Sequence, residues 1–326
     1  MKAKLVFNDL SITPAKTESE AREWFTEMIT AVADLIKKGI CTTEINSNIN
    51  LDDFLLTDDY GFIEWRYDDK VNRDTRLLAS QLLTRKPVQA SLQVFEKAFD
   101  DFKSSEFKLK EYSHIESIAL GVALLHDGIA VSLPSKPLWC QSHIEIIQRL
   151  YDENLENPDE TFFRIRQVSR PNHVDIVIRD WRRSLSQHIK SATELVVQWT
   201  SAFPNLDMCE EYEQKMLPHL HGTTLKSVLD KLWKLDETCE LWKETKQEPT
   251  YYSMSANPES PGTMNIKELA DMRLSSCPYQ GLQHFKMHCR IQPRGFRLYW
   301  LVNSELYRIT ICYIGPHLPT KKYKGQ

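Results

Sequence analysis

Lys286, His288 and Arg290 fall on alternate positions of the run Phe285 to Ile291, and Arg297 follows in the next run, Phe296 to Val302. Side chains alternate across a β-strand, so these three cationic groups share one face while Met287, Cys289 and Ile291 take the other. In the second run Phe296, Leu298 and Trp300 lie opposite Arg297 and Tyr299. If the two apolar faces coincide, Lys286, His288, Arg290, Arg297 and Tyr299 converge on one surface. That set suits phosphodiester chemistry in which a ribose 2′-hydroxyl attacks the adjacent phosphate. An imidazole takes the proton, arginine stabilises the phosphoryl oxygens and a further acid protonates the leaving oxygen. No metal is required. His317 follows a third run, Tyr307 to Ile314, and is grouped with Lys286, His288, Arg290 and Arg297 as a catalytic residue. Arg294, Tyr299, Arg308, Tyr313, Lys321 and Lys322 are expected to bind the polyanion, with tyrosine rings and His317 available for base stacking.

Pro293-Arg294-Gly295 and Asn303-Ser304-Glu305 are suitable turns between the three runs, which together predict a small antiparallel sheet. The segments Phe285-Lys286-Met287-His288-Cys289-Arg290-Ile291, Gly295-Phe296-Arg297-Leu298-Tyr299-Trp300 and Ile309 to His317 resemble the C-terminal sheet of RelE/ParE-superfamily toxins. The resemblance covers the 46 residues from Gly281 to Gln326, and Ile266 to Leu274 matches part of the family's N-terminal helical hairpin. It implies a RelE-like three-stranded sheet and a metal-independent endoribonuclease that cuts messenger RNA, usually on the ribosome. It places the chemistry on Lys286, His288, Arg290 and Arg297, and extends to Tyr313 and His317. The gyrase-directed branch of the family shares the fold without cutting RNA. A non-catalytic nucleic-acid-binding or adaptor subunit of a larger defence complex therefore stands as the alternative. A long acidic region joined to such an end also fits a prokaryotic effector of toxin or antiphage type.

The elements that must carry this end are legible in part. Lys4 to Ile12 reads as a first strand. Thr17 and Glu20 form a capping box before Ala21, Trp24, Phe25, Met28, Val32, Leu35 and Ile36 at helical spacing, and Gly39 suits a left-handed C-cap. Cys41 to Ile49 alternates weakly, Phe62 to Tyr67 reads as a strand, and helices are expected over Asn72 to Leu83 and Leu92 to Leu109. Ile118 to His126 predicts a helix, Asp127-Gly128 a turn and Ile129 to Leu133 a buried strand. Phe162 to Val168 and His173 to Ile178 suggest a hairpin about Arg170-Pro171-Asn172. Helices follow over Ser191 to Ala202, Cys209 to Leu217, Thr223 to Leu241 and Ile266 to Leu274, with a linker over Tyr251 to Asn265. The expected fold class is α+β. Residues 1–195 form a mixed α/β regulatory or partner-docking domain, 196–250 a helical connector, and 251–326 a linker with the basic nucleic-acid-binding domain.

Charge separates along the chain. Eight basic residues against Glu305 give Gly281 to Gln326 a formal +7, and the whole chain is −4, which leaves −11 for residues 1–280. A polyanion-binding end attached to an acidic remainder is the implied arrangement, the partners being RNA or another nucleic acid and a protein, or a second copy, met by the acidic region. No apolar run approaches the roughly 20 residues of a membrane span. The opening segment lacks a secretory core, and seven scattered cysteines suggest reduced, mostly buried thiols, so a cytoplasmic location is expected. Ten glycines without a phosphate loop indicate no ATP or NAD site, and no cofactor is expected. Cys277, His284, His288 and Cys289 match no common zinc spacing. His219 and His221 suit a capping or surface role. The aspartates around residues 52–69 suit a solvated loop, and Arg164, Arg166, Arg182 and Arg183 are expected to pair with acids.

Overall fold

Thr17 accepts a hydrogen bond from the Glu20 backbone at 3.2 Å, and Gly39, at φ +73°, donates to Ile36 at 2.8 Å; between them runs the helix Glu18–Lys37. Both ends are thus satisfied by the residues the sequence supplies for them. The computed structural model describes residues 2–82, 100, 102–151 and 158–323. The chain is of mixed α/β type and divides into two compact units, Met1–Trp181 and Arg182–Gln326. The helical segment expected as a connector lies within the second.

The first unit holds a six-stranded sheet of β1 (Ala3–Phe7), β2 (Cys41–Asn46), β3 (Ser105–Leu109), β4 (Ile129–Val131), β5 (His143–Leu150) and β6 (Asp159–Val168), in the order β2-β1-β4-β6-β5-β3. Strands β2, β1, β4 and β6 are mutually parallel, and β5 and β3 add antiparallel. The apolar helix Ile118–Leu125 packs against β1, β3, β4 and β6 around Val6, Phe107, Leu120, Ala130 and Ile165. Its contact is close, since a Cβ on Gly121 would fall 2.3 Å from the Phe107 ring.

Local expectations change at several places: the strand expected over Lys4 to Ile12 ends at Phe7, the helix expected over Cys209 to Leu217 is confined to Tyr212–Lys215, and the stretch read as a linker holds the strand Asn257–Pro258 and the helical turn Pro261–Met264. Phe62–Tyr67 is a helix and not a strand, because the Glu64 carboxylate accepts the Gly61 backbone N–H at 2.9 Å and Phe62 stacks on Trp65 one turn later. Pro171 opens a helical turn, Pro171–His173, that runs into the helix Val174–His188 where a second hairpin strand was expected. Val174, Val177, Ile178, Trp181 and Leu185 are buried at helical spacing. Ser105–Leu109 is strand β3; residues 92–99 and 101 of the helix expected there, and Leu83 at the end of Arg73–Leu82, lie outside the described residues.

The second unit carries β7 (Leu206–Met208), β8 (Asn257–Pro258), β9 (Leu274–Cys277), β10 (Gly281–His284), β11 (Met287–Ile291), β12 (Phe296–Asn303) and β13 (Arg308–Pro316). The three runs of the basic end form an antiparallel meander, as their alternation requires, but at the centre of a five-stranded sheet in the order β7-β13-β12-β11-β8. Strand β7 joins β13 in parallel, and the two-residue β8 covers the outer edge of β11. The helix Gly222–Thr245 packs on β7, β11 and β13, burying Leu225, Val228, Leu232 and Leu235. Cys289, Leu298 and Ile314 are neighbours in register, and all are buried. The opposite face also carries a core. Cys277, Phe285, Tyr299, Cys312 and Leu318 cluster there, brought together by the β9-β10 hairpin and the chain after β13. All seven cysteines are free thiols, six of them buried. Among the described residues no helix is long and apolar enough to cross a membrane.

Candidate functional site

The register of the central strands decides which side chains meet. His288 pairs with Tyr299 and Tyr299 with Tyr313, while Arg290 pairs with Arg297 and Arg297 with Gly315. Paired residues in an antiparallel ladder project from the same face, so His288, Arg290, Arg297, Tyr299 and Tyr313 do share one side of the sheet. The chain after β13 then folds over part of it. His317 donates its backbone N–H to the Gly295 carbonyl at 2.7 Å, and the Pro319 carbonyl accepts from the Arg273 guanidinium at 2.9 Å. What stays accessible is a cleft of about 740 Å³ lined by Arg290, Ile291, Gln292, Arg294, Gly295, Arg297, His317, Thr320 and Tyr323.

Arg290, Arg294 and Arg297 make no ion pair with any described residue. Among the described residues the cleft lining includes no carboxylate. Burial and the neighbouring Arg290 charge both push the Arg297 guanidinium below its usual value, since it loses hydration without gaining a counter-charge from any described residue. An anion entering there relieves like-charge repulsion and supplies acceptors for these donors, of which Arg297 already donates to the Phe296 carbonyl at 2.8 Å. His317 stands on the wall with its pKa lowered, first by burial and then by Arg297. Its Nδ1 is buried without a hydrogen-bond partner among the described residues, so proton exchange with the cleft goes through Nε2. Tyr323 meets the His317 ring edge-on at 5.0 Å.

Behind the cleft the predicted set separates. Tyr299 is fully buried, packed against His288 at 4.9 Å, Phe285 at 5.4 Å and Tyr313 at 5.7 Å between ring centres. It cannot stack on a base, because the hairpin and the terminal segment cover its face. Burial raises its phenol to about 12. His288 is half-buried over Tyr299, stands 6.3 Å from the His317 ring and does not line the cleft. Burial lowers its pKa, against the opposing pull of Glu259. Tyr313 is half-buried and donates its hydroxyl to the Pro316 carbonyl at 3.0 Å. Lys286 is exposed in the connection before β11 and outside the cleft lining. Lys321 and Lys322 are exposed beside Thr320 and Tyr323. Arg308 is removed from the binding set: it lies at the start of β13, where its guanidinium donates to Asp207 at 2.6 and 2.8 Å and to the Pro204 carbonyl at 2.8 Å. Lys324 lies outside the described residues.

Other residues, not placed at the site by the sequence pattern, support it. Arg273 is wholly buried and paired with buried Glu259 at 2.7 Å, and its guanidinium lies 6.0 Å from the Tyr299 ring centre. Nothing local announces a lone arginine after a short helix as an anchor. Tyr323 did carry a signal, being an aromatic set among Lys321, Lys322 and Lys324. His219 packs against Phe296 and Tyr313, close to Gly315, rather than capping a helix. Arg166 pairs with Asp127 and Asp180, as expected of it, whereas Arg183 is exposed and makes no ion pair with a described residue. Asp52, Asp68 and Asp69 pair with Arg66, Arg22 and Arg76. Among the described residues no three His, Cys, Asp or Glu side chains are grouped to hold a metal ion.

Compared with protein-family models, with curated proteins and with solved structures, the chain returned no match. The likeness to RelE/ParE toxins accordingly rests on the residue pattern of the meander alone.

Proposed function

We propose that this protein engages nucleic acid through the cleft between the 292–295 turn and the terminal segment. One observation carries the proposal. Arg290, Arg294 and Arg297, none of them paired to an acid among the described residues, line one cavity together with His317. A phosphodiester matches that cavity in charge and supplies the acceptors that guanidinium donors need. A solvated basic strand face would scatter such arginines or neutralise them with neighbouring carboxylates. Fluorescence anisotropy with labelled RNA and labelled single-stranded DNA, in EDTA and in magnesium, tests the proposal. Binding should fall steeply with salt and be lost in a triple Arg290→Ala/Arg294→Ala/Arg297→Ala variant.

A second reading, metal-independent ribonuclease activity, is favoured by the placement of His317. A neutral imidazole beside three arginines can take the 2′-hydroxyl proton through Nε2 as the oxygen attacks phosphorus. The arginines stabilise the phosphoryl oxygens while the bond to the 5′-oxygen breaks; that oxygen takes its proton from water and His317 returns its own to the hydroxide so formed, leaving a 2′,3′-cyclic phosphate and a 5′-hydroxyl. The role first expected of His288 passes to His317, because His288 does not line the cleft. Cleavage in EDTA that survives His288→Ala and disappears with His317→Ala supports this reading. Intact RNA with wild-type protein leaves the non-catalytic role. Growth arrest on expression that vanishes with His317→Ala is the cellular counterpart, and it suits a RelE-like toxin or antiphage effector. The acidic excess of residues 1–280 fits a regulatory or partner-docking function for the remainder of the chain.

A further inference from the structure

We infer that the nucleic acid is a single strand and that its track extends beyond the arginine cleft into a second cavity of the same unit; the inference rests on the nucleic-acid reading above. The second cavity, about 680 Å³, lies between the end of helix Val174–His188 and the start of helix Gly222–Thr245. Its floor is apolar, with Leu225, Leu229 and Trp233, and its rim carries Arg183, Lys190 and Lys226. These three cations make no ion pair with a described residue. The carboxylate there, Asp230, is already met by Lys234 at 2.9 Å.

One hydrogen bond links an element of each cavity. Gln292, on the wall of the arginine cleft, donates its backbone N–H to the Ser227 hydroxyl at 3.0 Å, and Ser227 is the chain neighbour of Lys226. In the proposed track a ligand continuing past Gln292 reaches helix Gly222–Thr245, whose Lys226 belongs to the second cavity. Unpaired cations above an apolar, indole-bearing floor ask for a ligand with anionic groups along an edge and flat apolar faces. A single-stranded polynucleotide has both. A duplex turns its base faces inward and offers Trp233, half-buried in the floor, nothing to stack on.

The test compares a 5′-phosphorylated oligoribonucleotide of about three nucleotides with one of about twelve, a length within the usual reach of a single-strand site. Each phosphate neutralised on a single strand contributes about −0.7 to the slope of log K against log salt. Three arginines then give about −2 for the short ligand, and six cations about −4 for the long one. In an Arg183→Ala/Lys190→Ala/Lys226→Ala variant, made of surface side chains, the long ligand's slope should drop to about −2 with the short ligand unchanged. Trp233→Ala should weaken the long ligand about ten-fold and leave the short one alone. The track is overturned if those variants bind both ligands like wild type while the Arg290/Arg294/Arg297 variant binds neither. It is overturned too if a duplex of equal length binds as tightly as the single strand. If wild-type protein binds neither length, the nucleic-acid reading itself is lost, an outcome distinct from both.

Discussion

Two arginines of one basic segment meet different fates, and the difference predicts how each behaves on substitution. Arg297→Ala removes an unpaired donor from the cleft and should weaken RNA binding about ten-fold or more, the equivalent of about 1.5–3 kcal/mol for a charge-assisted hydrogen bond. Arg308→Ala should leave affinity unchanged and lower stability by about 1–3 kcal/mol, since Asp207 loses its partner. Anisotropy and urea unfolding on the same two variants read both effects. The histidines predict a pH dependence. His219, His288 and His317 are all held below the ordinary imidazole value, chiefly by burial, so the fold favours their neutral forms. Their contribution to stability is complete above about pH 6.5 and is lost as pH falls through their lowered folded values. Thermal midpoints should therefore drop from neutral pH towards pH 5, less so in His317→Gln, and a midpoint that rises on acidification contradicts this assignment. Which residues share a face was legible from the alternation around Arg290 and Arg297. Which of them remain accessible was not, because that depends on residues 317–323 folding back over the sheet.

Local punctuation made the element scale readable wherever one residue type satisfies one backbone group. Thr17 and Gly39 bound their helix as expected, and Pro293-Arg294-Gly295 turns the chain between β11 and β12. Elements defined by distant partners left no such mark: β7 is a strand only because β13 lies beside it, and β8 only because β11 does. Phe62–Tyr67 misleads for a related reason, since its three aromatics suit a strand until Glu64 closes a turn. Two tests belong at this scale. Arg273→Met should destabilise the second unit by about 3–5 kcal/mol by stranding the buried Glu259 carboxylate, and Glu259→Gln in the same chain should restore part of that loss. Chemical denaturation of the two single variants and the double variant gives the coupling; additive losses contradict it. Gly121→Ala should cost about 1–3 kcal/mol, because its methyl group meets the Phe107 ring. A neutral effect would mean that helix Ile118–Leu125 does not pack as closely as described.

At the scale of the whole molecule, the charge division read from the sequence places a formal +7 on the segment that builds the arginine cleft and −11 on the rest. Electrostatic attraction of that kind controls encounter with a polyanion and its sensitivity to salt, whereas the site's geometry controls what is held once bound. Retention of a bound strand therefore depends on the cleft rather than on net charge. The most direct test titrates labelled single-stranded RNA with wild-type protein and with Arg290→Ala/Arg294→Ala/Arg297→Ala across a salt series, in EDTA throughout. The predicted result is wild-type binding that weakens steeply with salt and a variant that has lost both the affinity and about three phosphates' worth of slope. A correctly folded variant that binds as wild type does, with the same salt dependence, contradicts the account.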